Sequence, residues 1–281
     1  MKQVAPLVNL AISTGEPAGI GPEVSLAAAV EFLREQNGVA ITLLGDDQLL
    51  TLPKNIDPAL ASRLQVESIK LKTPVVSGVL NPQNAQYVIA LLDQAINGCQ
   101  QGRFDAMVTA PLQKSIINDA GTPFTGHTEH LAQRCNISHV VMMLCAPLPT
   151  GFLGLESPRD LRVALVTTHV PLKDVPQALS YDLILETIQI VNRDLQRKFG
   201  IANPVIRMAG LNPHAGESGY LGREEIEIIT PAIEAAKAMG IQVSGPYPGD
   251  TMFDLESVAT VDAFIAMYHD QGLAPFKFVT F

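Results

Sequence analysis

Residues 162–169 read RVALVTTH, a short apolar run rich in β-branched residues that ends in two threonines and a histidine. Residues 205–214, VIRMAGLNPH, and residues 263–269, AFIAMYH, follow the same pattern. Arg162–Thr167, Val205–Ala209 and Ala263–Met267 are therefore predicted strands. Between them lie helical stretches: Tyr181–Lys198, amphipathic and stopped at Gly200, and Glu224–Met239, stopped at Gly240. Apolar strands alternating with helices define an α/β chain with a mostly parallel sheet. Open α/β sheets bind ligands just outside the carboxyl ends of their strands. Each of these three runs places a histidine there: His169, His214 and His269.

The first half of the chain repeats the theme. A strand at Leu7–Ile12 leads into the turn TGEPAGIGPE, and a helix opens with Pro22 in its first turn and ends at Gly38. Further strands are expected at Val39–Leu44, Ala106–Thr109 and Val140–Leu144, with a helix over about Ala85–Asn97. No regular structure is assigned to the polar stretch Leu52–Pro82, and Cys145–Asp160, rich in proline and glycine, reads as a surface loop. There is no internal repeat. A chain of 281 residues suffices for one large domain or two lobes; two are expected, over 1–125 and 126–281, the second carrying the three strand-end histidines.

Composition narrows the function. Apolar residues make up 47% and charged residues 17%, which is globular rather than disordered. Lys+Arg is 19 against Asp+Glu 28, a net charge of −9, and no basic run is dense enough to follow a phosphodiester backbone. Nucleic acid is thus not the expected partner, and any anionic ligand must meet local positive charge. Cys99, Cys135 and Cys145 are odd in number, lack a CxxC spacing and read as reduced thiols of the cytoplasm, none an evident nucleophile. Pro6 and Asn9 break the apolar N-terminus, which lacks a cleavage site of signal-peptide type, and prolines interrupt the most apolar region, Val140–Leu155, so no membrane span is expected.

Three imidazoles at the ends of three strands of one sheet suit a catalytic metal, which keeps three protein ligands and an open position. Asp270, directly after His269, and Asp250, in SGPYPGDTMF, are candidates to receive the second ring N–H of a metal-bound imidazole; Asp250 reads equally well as a turn residue. In TGHTEH, Thr128 is expected to cap a helix whose first turn carries Glu129, leaving N–H groups suited to an anion. His127 and His130 are three apart, not the four of HExxH, and are not read as a metal pair. His130 is expected on a helix surface or in packing, and His139 at a strand start without polar partners. Gly15, Gly19 and Gly21 approximate a dinucleotide-binding turn, but their spacing is G-x-x-x-G-x-G, which a tight strand–helix turn explains equally.

Together TGEPAGIGPE, VTAPLQKSIINDAG, PFTGHTEH, VALVTTHVPL, GLNPHAGESG with GREEI, GPYPGDTMF and AMYHDQGLAPFK resemble the 4-hydroxythreonine-4-phosphate dehydrogenase family of vitamin B6 biosynthesis, from one end of the chain to the other. The resemblance implies an α/β/α fold akin to isocitrate and isopropylmalate dehydrogenases, with two lobes and a cleft between them, and it discounts the glycine turn as a dinucleotide fingerprint. It implies that His169, His214 and His269 hold one divalent metal (zinc, magnesium or cobalt), and that His127, Thr128 and Lys277 bind substrate. It further implies NAD or NADP as hydride acceptor, a small phosphorylated substrate, and a homodimer with the active site at the interface.

The expected reaction is oxidation of 4-phosphooxy-L-threonine to a β-keto acid that loses carbon dioxide. Alternatives are a related dehydrogenase of a four-carbon sugar-acid phosphate, a metallohydrolase using the same histidines, or a metal-binding protein without the chemistry. The sequence departs from the family in the length of Cys145–Asp160. It also stops at FKFVTF, where the family continues with a segment supplying a further Asn and Arg. Pro275–Phe281 is read as a terminal strand left uncovered, so a truncated, less stable and aggregation-prone chain is expected.

Overall fold

In the computed structural model, residues 7–53 and 55–280 are described. The chain is an α/β protein built as two compact units, the first ending at Ser138 and the second beginning at His139. The first contains β1 (Val8–Ser13), α1 (Gly21–Glu35), β2 (Val39–Gly45), α2 (Pro58–Ala61), β3 (Leu64–Ser68), α3 (Ala85–Gln100), β4 (Ala106–Thr109), α4 (Lys114–Asp119) and α5 (His127–Cys135). Its four strands form a parallel sheet in the order β3-β2-β1-β4. Successive residues of a strand point to opposite faces: Ala11 and Leu44 join α3 in one apolar cluster, and Ile12 and Leu43 join α1 and α2 in the other. β3 falls within the stretch given no regular structure from sequence. It is a short edge strand, and Leu64-Gln65-Val66-Glu67 does alternate apolar and polar, a signal too brief to stand out in a polar stretch.

The expected boundary after residue 125 moves to Ser138, because α5 packs on α3: Leu131 lies against the α3 cluster, and Asp93 lies 2.9 Å from His130 Nε2 and forms an ion pair with Arg134 at 3.0 Å.

The second unit contains β5 (Met142–Leu148), β6 (Arg159–Leu165), α6 (Val175–Ala178), α7 (Tyr181–Lys198), β7 (Val205–Ala209), α8 (Thr230–Ala238), β8 (Gln242–Tyr247), α9 (Leu255–Thr260), β9 (Ala263–Ala266) and α10 (His269–Thr280). Its sheet runs β5-β6-β9-β7-β8, parallel except for the edge strand β5, which pairs antiparallel with β6. Helices α7 and α8 cover one face through Ile184, Ile188, Val191, Leu195, Ile233 and Ala236, positions spaced as one stripe of a helix. Phe276 of α10 and Val258 of α9 cover the other, around Val163 and Phe264.

Two expectations fail here. Cys145–Asp160 is not wholly a loop: Cys145–Leu148 continue β5, paired in register from Cys145↔Arg162 to Leu148↔Arg159. An edge strand, paired on one side alone, tolerates Pro147. Of the strand expected over Pro275–Phe281, Phe281 lies outside the described residues, and Pro275–Thr280 belong instead to α10, which buries Leu273 and Phe276 one turn apart. The Phe, Val and Thr of PFKFVTF favour strands, but a helix already begun at His269 carries through them. Among the described residues no helix is long and apolar enough to cross a membrane.

Candidate active site

Strands β6, β9 and β7 are neighbours, with β9 in the middle, so their carboxyl ends open side by side. Past the strands the chains stay tied: Val166 N donates to Ala266 O at 2.9 Å, and Thr167 donates to Met267 O from its N–H at 3.1 Å and its hydroxyl at 2.7 Å. His169 and His269 each lie two residues beyond that last tie. Their rings consequently stand together, centroids 5.7 Å apart and planes at 40°.

The third exit is joined to the middle one by Gln271. Its Oε1 accepts from Met267 N at 2.7 Å and its Nε2 donates to Gly210 O at 2.7 Å, bridging the ends of β9 and β7. From Gly210 the chain runs to His214, which begins five consecutive residues in the left-handed region: His214, Ala215, Gly216, Glu217 and Ser218, with φ from 44° to 79°. Left-handed helical backbone costs roughly 1–2 kcal/mol per L-residue, so the four non-glycine residues carry on the order of 4–8 kcal/mol of strain. Such strain persists only where the surroundings over-determine it. Here the Glu225 carboxylate, 3% exposed, accepts from Leu211 N at 2.8 Å, Asn212 N at 2.7 Å and Asn212 Nδ2 at 3.0 Å.

Asp270 Oδ1 lies 2.7 Å from His269 Nδ1. With Nδ1 donating to that carboxylate, the Nε2 lone pair of His269 is left for a ligand. Asp250 follows β8 and lines a pocket of about 620 Å³ with His214, Tyr268, Asp270 and Gln271. His169 and His269 line an adjoining pocket of about 410 Å³, which shares Tyr268 and Asp270 with the first. Lys277 sits in the last turn of α10, eight residues from His269 and so about 12 Å further along the helix axis.

The donor set suits a divalent metal. Imidazoles bound to one tetrahedral ion through nitrogens at about 2.0–2.1 Å have ring centroids roughly 5–6 Å apart, and the His169–His269 pair meets that spacing. His214 opens on the neighbouring pocket; among the described residues, no three His, Cys, Asp or Glu side chains are gathered closely enough to hold an ion as they stand.

In the first unit, α5 starts at His127 with Gly126 before it, so Thr128 lies in the first turn and does not cap the helix as expected; no side chain caps it. Lys114, which opens α4, brings its ammonium to 3.1 Å from where a Gly126 Cβ would stand. His127 Nε2 is buried without a hydrogen-bond partner. Burial first, then the positive charges of Lys114 and His130, hold this imidazole below its ordinary pKa and so neutral near pH 7. His130 is a packing residue as expected, but His139 does have a polar partner, its Nε2 lying 3.0 Å from Thr187 Oγ1. Cys99 is no activated nucleophile: burial pushes its thiol up. Sequence reasoning did not single out Lys114, Glu225 or Gln271 individually, although each lies in a stretch that carries the family resemblance.

The family model described as pyridoxal phosphate biosynthetic protein PdxA matches residues 25–281. A 4-hydroxythreonine-4-phosphate dehydrogenase of Burkholderia vietnamiensis is 50% identical over 282 residues, covering 99% of this chain and 83% of its own. One from Ralstonia nicotianae is 49% identical over 292 residues, covering 98% and 84%. Among solved structures, the 4-hydroxythreonine-4-phosphate dehydrogenase of Klebsiella pneumoniae superposes with a TM-score of 0.82 at 32% identity, covering 98% of this chain and 85% of its own. A terephthalate 1,2-cis-dihydrodiol dehydrogenase of Burkholderia xenovorans gives 0.68 at 26% identity, covering 98% and 83%. With this agreement in sequence and fold along nearly its whole length, the chain, an oxidoreductase, belongs to the 4-hydroxythreonine-4-phosphate dehydrogenase (PdxA) family.

Proposed function

We propose that the chain catalyses the metal-dependent, NAD(P)-linked oxidation of 4-phosphooxy-L-threonine to 2-amino-3-oxo-4-phosphooxybutanoate, which loses carbon dioxide to give 3-amino-2-oxopropyl phosphate. The observation that carries this reading is the placement of His169, His269 and His214 at the carboxyl ends of three adjacent strands, with two of the rings already paired. A divalent ion held there would supply Lewis acidity, lowering the pKa of the substrate hydroxyl and stabilising the charge left on decarboxylation. A bound nicotinamide would supply the hydride acceptor.

The chain's own residues supply the rest. His169, His214 and His269 offer imidazole nitrogens as ligands, the rings of His169 and His269 being the two that pair. Asp270 holds the proton on His269 Nδ1 and fixes the tautomer that presents Nε2. Asp250 lines the pocket with His214 and is placed to orient the substrate amine. Thr128 and His127, at the positive end of α5, and Lys277 are each proposed to bind substrate oxygens. The orphaned Nε2 of His127 is a hydrogen-bonding position for such an oxygen. A homodimer and a cytoplasmic location are part of the same proposal.

The test is NADH or NADPH formation from 4-phosphooxy-L-threonine with and without added zinc, magnesium or cobalt. Threonate 4-phosphate, erythronate 4-phosphate and unphosphorylated 4-hydroxythreonine are run beside it. Turnover of the unphosphorylated compound as efficient as that of the ester refutes the phosphate assignment. Preference for a sugar-acid phosphate moves the chain to that related reaction. Hydrolysis of a phosphorylated compound without nicotinamide refutes the dehydrogenase.

A further inference from the structure

We propose that Glu225 is a positioning residue: its buried carboxylate holds the left-handed turn that sets where His214 stands in its pocket. The proposal rests on the reading of His214 as a ligand and asks what keeps it in place. Two consecutive backbone amides, Leu211 N and Asn212 N, converge on Glu225 Oε1, and the Asn212 side chain donates to Oε2. All three donors are amides, so the carboxylate is spent on the backbone of the loop. A second carboxylate, Glu224, takes the other Asn212 bond at 2.7 Å, locking that side chain against the same helix start.

The loop is shaped to admit the carboxylate. A Cβ at Gly216 would stand 2.6 Å from Glu225 Oε2, and one at Gly210 would stand 2.9 Å from Oε1. Glycine is therefore present on both sides where bulk would push the carboxylate away. Gly216 also sits within the left-handed run, at φ 79°. The backbone from His214 to Ser218 would relax toward ordinary right-handed or extended conformations without an anchor on the residues before it. Since His214 opens that run, relaxation would swing its imidazole. With His214 as a ligand, Glu225 would act on metal affinity through it, as partners of ligating residues do elsewhere, where their loss typically weakens binding about 10–100-fold.

Zinc affinity, by chelator competition on the purified chain, is measured for wild type, His214→Ala, Glu225→Gln, Glu225→Ala, Gly216→Ala and Glu227→Gln. The same set is loaded with cobalt for its visible spectrum, and amide hydrogen exchange at Leu211 and Asn212 is followed without metal. Glu227, two residues beyond Glu225, is exposed, paired with Arg223, and serves as the control. The expected result is affinity reduced on the order of tenfold in Glu225→Gln and Gly216→Ala, and up to about 100-fold in Glu225→Ala. A shifted cobalt spectrum and faster exchange of both amides accompany it, with Glu227→Gln unchanged. Glu225→Gln preserves shape and one acceptor oxygen, so a folding failure of Glu225→Ala does not remove the test. A folded Glu225→Gln with wild-type affinity, spectrum and exchange overturns the proposal while a weakened His214→Ala leaves the ligand assignment standing. If His214→Ala binds zinc as wild type does, the ligand assignment itself fails, and this proposal with it.

Discussion

Replacing Gln271 by Ala cuts a side-chain bridge between the carboxyl ends of β9 and β7, and the size of the effect follows from its bonds. Two hydrogen bonds of 2.7 Å are lost, one accepted from Met267 N and one donated to Gly210 O. Met267 is fully buried, so its N–H loses its partner where water enters poorly. A buried polar group left unpaired costs about 1–3 kcal/mol, and Gly210 O, nearer the pocket, is partly rescued by solvent. The sum is about 2–4 kcal/mol, which for a unit of this size lowers its melting temperature by roughly 5–15 °C. The functional effect adds to this, because the bridge holds the exit carrying His214 against the exit carrying His269. Zinc affinity is expected to fall as well, about tenfold. Differential scanning calorimetry and chelator competition on Gln271→Ala, with Gln271→Glu beside it, measure both. Gln271→Glu keeps the acceptor for Met267 and loses the donor to Gly210, so it should fall between wild type and Ala in stability. A Gln271→Ala chain melting within about 1 °C of wild type, with unchanged metal affinity, would refute the view that this bridge couples the strand ends.

Asp270→Asn keeps the shape but weakens the acceptor for His269 Nδ1; metal affinity should drop about tenfold by chelator competition, with little change in melting. Ile188→Ala empties a fully buried position under the sheet of the second unit and should cost about 2–5 kcal/mol in urea unfolding, without altering the KM for substrate. The pH response of His127 has a definite sign. Its folded-state pKa lies below the ordinary value, chiefly through burial, so as pH falls through that ordinary value the unfolded chain takes a proton that the folded chain does not. The stability that neutral His127 allows is complete above that window, is lost as pH falls through it, and levels off below the folded pKa. His127→Gln should flatten the part of the urea-midpoint profile that lies below the ordinary imidazole pKa; an unchanged profile would contradict the assignment.

What could be read from sequence was local. An apolar run that stops at polar residues marks a strand end, so the position of each candidate histidine was legible from its own ten residues. The order β5-β6-β9-β7-β8 was not, because the neighbours of β9 are β6 and β7, far from it along the chain. Glu225 and Gln271 were missed for the same reason: their partners lie 13 and 61 residues away. The strand assigned to Pro275–Phe281 failed because local propensity is a weak prior. A helix beginning at His269 that buries Leu273 and Phe276 outweighs the β-preference of PFKFVTF. The loop assigned to Cys145–Asp160 was too long because its prolines were weighed without knowing that β5 is an edge.

The central claim is that His169, His214 and His269 hold one divalent ion on which the oxidation depends. The measurement that tests it most directly is the initial rate of NAD(P)H formation from 4-phosphooxy-L-threonine. It is taken on the chain stripped with a chelator and then titrated with zinc, magnesium or cobalt, alongside single alanine variants of the three histidines. The expected result is no rate in the stripped chain, recovery that saturates at about one ion per chain, and no recovery in any of the three variants. A stripped chain that turns over at the full rate, or a folded variant that recovers like wild type, would contradict it.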